Sequence, residues 1–151
     1  MRDYAEKYKE ATEAFLSLVN SLSSADLDRA DSEGWTPRQV IHHVADSEAQ
    51  SYARLRRLIA EPGTTIQGYD ESVWAENPTI GYQSHEIDSS IAVFEAVRQS
   101  SYELLLRMED FLLDNKGIHT ESGEYSVRDW LKSYINHPID HASQIKKVLS
   151  L

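Results

Sequence analysis

Histidine is the residue type in this chain best suited to chemistry: there are six, and there is no cysteine. Without thiols the protein can form no disulfide, thiolate nucleophile or iron–sulfur cluster, so any metal must be held by nitrogen and oxygen. His137 and His141, in SYINHPIDHASQI, stand four residues apart. That spacing places two imidazoles on successive turns of one helix face, an arrangement by which helices present two ligands to one ion. A third histidine, His43 in GWTPRQVIHHVADSEAQ, falls at the edge of an apolar stripe beside Ser47, Gln50 and Arg54. His42 and Asp46 project to the opposite side of that helix and are expected to face solvent, as are His85 and His119. If the two helices face one another, His43, His137 and His141 form a three-nitrogen site that leaves positions for water or substrate. Imidazole suits zinc, nickel, copper or iron, so the ligand set does not choose the metal. The same residues also admit a plainer reading, in which they are core histidines of a non-catalytic bundle.

Two further side chains stand out near His43. Glu48 projects onto the apolar stripe, where a carboxylate needs a partner. It is a candidate general base, or a group that orients a ligand histidine; the alternative is a bridge to an arginine or tyrosine. Arg54 lies on the His43 side and is a candidate for steering an anionic substrate or thiol carboxylate; the alternative for Arg54, Arg56 and Arg57 is solvation at a helix C-terminus.

These residues need helices to position them, and the apolar spacing supplies four. The first runs over residues 4–22, with Tyr4, Tyr8, Ala11, Phe15, Leu18, Val19 and Leu22 on one stripe. Residues 23–34 form a polar connector with one short turn. Thr36, Pro37 and Gln39 make an N-cap, a first-turn proline and a capping box for a second helix, which Glu61-Pro62-Gly63 stops. Residues 64–83 read as a long loop with a helical turn near Trp74, and a loop of that length in a compact domain is usually functional. Tyr69 and Trp74 would either line a pocket mouth or pin the loop. A third helix follows over residues 84–112, a turn-rich connection over 114–124, and a fourth helix capped by Ser126 and Asp129. With no strand indicated, the fold class is all-α, a four-helix bundle with a long crossover loop, in a single domain spanning residues 1–151. Pro138 follows His137 directly, lacks the N–H that would bond to the Tyr134 carbonyl, and predicts a kink or bulge there.

Taken together, WTPRQVIHHVADSE, the late HxxxHxxQI, IHTESGEYSVRDWL and YDESVW resemble the DinB-like superfamily, in its YfiT-type branch, over most of the chain from about Leu22 onward. The resemblance implies a four-helix bundle, often a homodimer, in which a divalent metal such as nickel or zinc is bound at the positions of His43, His137 and His141. It also implies one of two activities, metal-dependent hydrolysis or transfer of a low-molecular-weight thiol such as bacillithiol or mycothiol, on a small-molecule substrate. The departure at Pro138 raises a further alternative, a vestigial histidine site.

Charge and hydropathy narrow the partners. Twenty-five acidic against 15 basic residues give a formal charge of −10, which disfavours nucleic acid and anionic lipid. No apolar run approaches the roughly 18 residues of a membrane span. The charged, periodic start MRDYAEKYKE lacks a secretory core, which predicts a cytoplasmic protein.

Overall fold

The four expected helices form, and their directions explain the long connection between the second and third. The structure, a computed structural model, describes residues 1–30 and 34–151; the part of the expected connector made by residues 31–33 lies outside it. The long helices are α1 (Arg2–Asn20), α3 (Pro37–Ala60), α5 (Asp88–Arg107) and α6 (Val127–Leu149), with short helices α2 (Ser24–Leu27) and α4 (Glu71–Glu76) in the connections. Each long helix packs against two others, α1 and α3 both lying between α5 and α6. One apolar cluster joins Ala5 and Tyr8 from the start of α1, Trp130 and Tyr134 from the start of α6, Leu55 and Leu58 from the end of α3, and Leu105 from the end of α5. Therefore α1 and α6 run one way and α3 and α5 the other. Because α3 and α5 are parallel neighbours, residues 61–87 must return the chain along the bundle before α5 can start.

A second apolar cluster, with Phe15, Val40, Ile41, Val44, Phe94, Ala142 and Ile145, fills the other end. Between the two clusters every long helix places polar or histidine residues: Thr12 on α1, Ser47, Glu48 and Ser51 on α3, Arg98 and Ser101 on α5, His137 and His141 on α6. The bundle thus has a polar layer across its middle, and the histidines lie in it.

Helix starts follow their sequence signals. Thr36 and Gln39 form a capping box on α3, with Pro37 in the first turn, and Ser126 and Asp129 form one on α6. Three expectations need correction. The first concerns strands: β1 (Thr65–Ile66), β2 (Lys116–His119) and β3 (Gly123–Ser126) make a small sheet, with β1 parallel and β3 antiparallel to β2. The connection expected to be only turns is therefore a hairpin, joined to the start of the crossover. Gly117 permits this joint, since a Cβ there would lie 2.4 Å from the Thr64 carbonyl oxygen. Second, α5 is shorter than residues 84–112. The apolar rhythm beyond it is completed by a 3-10 helix, Asp110–Asp114, which buries Leu113. Third, of the kink or bulge expected at Pro138 the bulge does not form, and α6 passes through that residue as continuous α-helix.

Candidate metal centre

Three imidazoles meet in the polar layer. His43 comes from the second turn of α3, opposite the fifth and ninth residues counted beyond Lys132 on α6, which are His137 and His141. Potential ligand atoms of His43, His137 and His141 all lie within 4.8 Å of one another. His43 Nε2 and His137 Nε2 are 3.4 Å apart. That is long for a hydrogen bond, yet it matches the roughly 3.4 Å between two nitrogens each about 2.1 Å from a shared ion at a tetrahedral angle. His141 Nδ1 donates to Gln144 Oε1 at 2.8 Å, which fixes its proton there and leaves the Nε2 lone pair free. Trp35 packs its ring edge-on against His43 at 5.2 Å, walling the site from the second apolar cluster. Buried Nδ1 atoms of His43 and His137 have no hydrogen-bond partner.

Electrostatics keep His43 and His141 in the form that binds cations. Burial, followed by the neighbouring His141 and His137, lowers His43 from 6.5 to about 3. Burial and His137 lower His141 to about 4. Both are therefore neutral at pH 7, with lone pairs available. The donor set and its spacing fit a divalent ion.

A cavity of about 560 Å³ opens beside the centre, with His43 and His137 in its wall together with Ser47, Arg54, Tyr69, Glu71 and His119. One side of the triad therefore faces space. Tyr69 lines the cavity and packs against Trp74 at 4.6 Å, a contact that pins the crossover. Arg54 donates from Nη1 to Tyr134 Oη and from Nη2 to the Gln67 carbonyl. It is thereby fixed in the cavity wall and forms no ion pair with a carboxylate among the described residues. Arg56, by contrast, lies over the Tyr52 ring at 3.3 Å and bonds to Ser100. Glu48 is fully buried behind His137, paired to Arg98 Nη1 at 2.7 Å and 3.5 Å from His137 Nδ1. It does not line the cavity.

The expectation that His42 faces solvent is overturned. It is 6% exposed, stacked on Tyr82, with Nδ1 against Ser90 Oγ at 2.8 Å and Nε2 against the His85 carbonyl. Asp46 accepts from Tyr82 Oη on the same face. The end of the crossover and the start of α5 cover this side of α3, and periodicity within α3 carries no information about them. His119 is likewise corrected: it sits on β2, half-buried, in the cavity wall. His85 is exposed, as expected, though its carbonyl anchors Arg38 and His42. Sequence reasoning missed Glu71 and Arg98. Glu71 Oε2 lies 3.4 Å from His43 Nε2, at a position no periodicity marks. Arg98 did leave a signal, since it falls four residues after Phe94 and seven before Leu105 on an otherwise apolar face.

A four-helix bundle with three convergent histidines beside a cavity has the architecture of helical proteins in which side chains on facing helices build a site in the bundle core. The chain is a member of the DinB superfamily, whose family model matches residues 7–145. An Oceanobacillus iheyensis protein named "Putative metal-dependent hydrolase" is 28% identical over 99% of this chain and 86% of its own length. A Bacillus mycoides protein of the same description is 33% identical over 85% of this chain and 77% of its own. Among solved structures, YfiT from Bacillus subtilis, described as "a probable metal-dependent hydrolase with an unusual four-helix bundle topology", superimposes with a TM-score of 0.85 at 23% identity, over 99% of this chain and 87% of that one. That likeness establishes the bundle fold. Among the described residues no helix is long and apolar enough to cross a membrane.

Proposed function

We propose that His43, His137 and His141 hold a divalent metal ion, nickel or zinc as the family resemblance implies, and that the protein uses it to turn water or a low-molecular-weight thiol against a small electrophile. The observation that carries this reading is the placement of the His43 and His137 rings in a cavity wall, because a structural site would be closed on all sides. A bound divalent ion would supply a nucleophile near neutral pH by lowering the pKa of water or a thiol. The chain's own residues do the rest. His43 and His141 stay neutral and aim lone pairs at a common point. Glu71 places a carboxylate where it can accept the proton a nucleophile sheds. Arg54, held by Tyr134 and Gln67, offers a fixed positive charge to an anionic group of the substrate or thiol. A thiol would have to come from outside, since the chain has no cysteine. The hydrolase names of the relatives favour water.

Elemental analysis of purified protein beside a His141→Ala variant tests the reading. The wild type should carry about one divalent ion per chain and the variant almost none. Equal metal content in the two would refute the proposal and leave a histidine-rich core. Adding a low-molecular-weight thiol to cobalt- or nickel-substituted protein then separates the branches: a changed visible spectrum supports thiol transfer, and an unchanged one leaves hydrolysis.

A further inference from the structure

Arg98 is 1% exposed and ties the four long helices together at the level of the histidines. It donates to Thr12 Oγ1 and, from Nη2, to the Tyr8 carbonyl on α1. Its Nη1 donates both to Glu48 Oε1 on α3 at 2.7 Å and to the Tyr134 carbonyl on α6 at 2.9 Å. That last acceptor is free because residue 138 is proline. In an uninterrupted helix the Tyr134 carbonyl would receive the N–H four residues on, which proline lacks. The residue that threatens the helix therefore provides the carbonyl that orients Arg98.

The ion pair is not self-contained. Glu48 Oε2 is buried without a partner, and so is His137 Nδ1. Glu48 Oε1 and His137 Nδ1 face each other at 3.5 Å, about 0.3 Å beyond hydrogen-bond length. A purely structural pair would leave neither atom idle, since an unpaired buried polar atom costs about 1–3 kcal/mol. A small turn of the ring joins them. Nδ1 would then donate to the carboxylate, and Nε2 would keep its lone pair toward His43.

We infer that Glu48, fixed in place by Arg98, is the positioning residue for His137: it accepts the Nδ1 proton and so selects the tautomer that presents Nε2 to the centre of the triad. The inference rests on the metal reading for its consequence but not for its geometry. Carboxylates that accept from a ligand histidine orient the ring and raise its basicity, and their loss typically weakens metal binding about 10- to 100-fold.

The test compares wild type with Glu48→Gln, which keeps the shape and an acceptor for Arg98. Zinc or cobalt titration should show affinity lower by about 10- to 100-fold in the variant. Long-range 1H–15N NMR of the metal-free wild type near pH 8 should show His137 as the Nδ1–H tautomer, and the variant, whose amide oxygen is a weaker acceptor than a carboxylate, should show that preference reduced. A variant with wild-type affinity, or a wild type in which His137 is the Nε2–H tautomer, overturns the inference. If Glu48→Gln does not fold, the wild-type tautomer decides alone. If the wild type takes up no metal, the proposed function fails, while the tautomer still reports whether Glu48 sets the ring.

Discussion

His42 and His43 adjoin in sequence and point about 100° apart around α3, and that rotation gives them separate roles. His43 meets two imidazoles and a cavity, whereas His42 closes a buried contact with Ser90, the His85 carbonyl and Tyr82. Alanine substitutions should therefore dissociate two properties. His43→Ala should abolish metal uptake and cost the metal-free protein only the packing of its buried ring on Trp35, since its Nδ1 has no partner to lose. His42→Ala should bind metal normally and lose about 1–3 kcal/mol of stability, because it strands the Ser90 hydroxyl and leaves the His85 carbonyl with Arg38 as its one remaining donor. Metal content and thermal melting of the two variants check this; a destabilised His43→Ala beside a neutral His42→Ala would reverse the assignment. The inward aim of His43 was legible because it depends only on the period of its own helix. The burial of His42 was not, because its partner Ser90 is 48 positions away in sequence.

At the scale of elements, the same boundary between local and distant causes recurs. Thr36-Pro37-x-Gln39 and Ser126-x-x-Asp129 determine where α3 and α6 begin through contacts three residues long, and both were readable. The strands were not. β2 is held by β1 and the Thr64 carbonyl on one side and by β3 on the other, and is too short and polar to show alternation. The α6 cap allows a pH-dependent prediction. The Ser126 hydroxyl and N–H, bonded to Asp129, hold that carboxyl below its ordinary value of 3.8. A depressed carboxyl stabilises the fold above its unfolded pKa, and that contribution is lost as pH falls through the folded value. Ser126→Ala should thus cost about 1 kcal/mol at pH 7, with the difference from wild type shrinking once pH falls below about 4. Urea unfolding at pH 7 and pH 3 measures both limbs; a penalty equal at the two would mean that the hydroxyl acts only on the Asp129 backbone N–H.

For the whole molecule, the polar layer between two apolar clusters sets stability against function. A bundle core filled throughout with leucine-like side chains would dispense with Arg98 and Glu48, and buried ion pairs are often no better than apolar replacements of similar volume. Removing one partner is different, because it strands the other. Arg98→Met should leave Glu48 as an uncompensated buried carboxylate, at 0% side-chain exposure, and cost about 3–5 kcal/mol in denaturant unfolding of the metal-free protein. Adding Glu48→Leu to that variant should recover most of the loss, since neither charge then remains buried. Both variants should still bind metal more weakly than wild type: Arg98→Met removes the guanidinium that fixes Glu48, and the double variant also removes the acceptor behind His137. A double variant no more stable than Arg98→Met would show that the lost bonds to Tyr8, Thr12 and Tyr134 dominate. A double variant as stable as wild type but poorer in metal uptake would show that this layer is kept for the orientation of one imidazole and not for the strength of the fold.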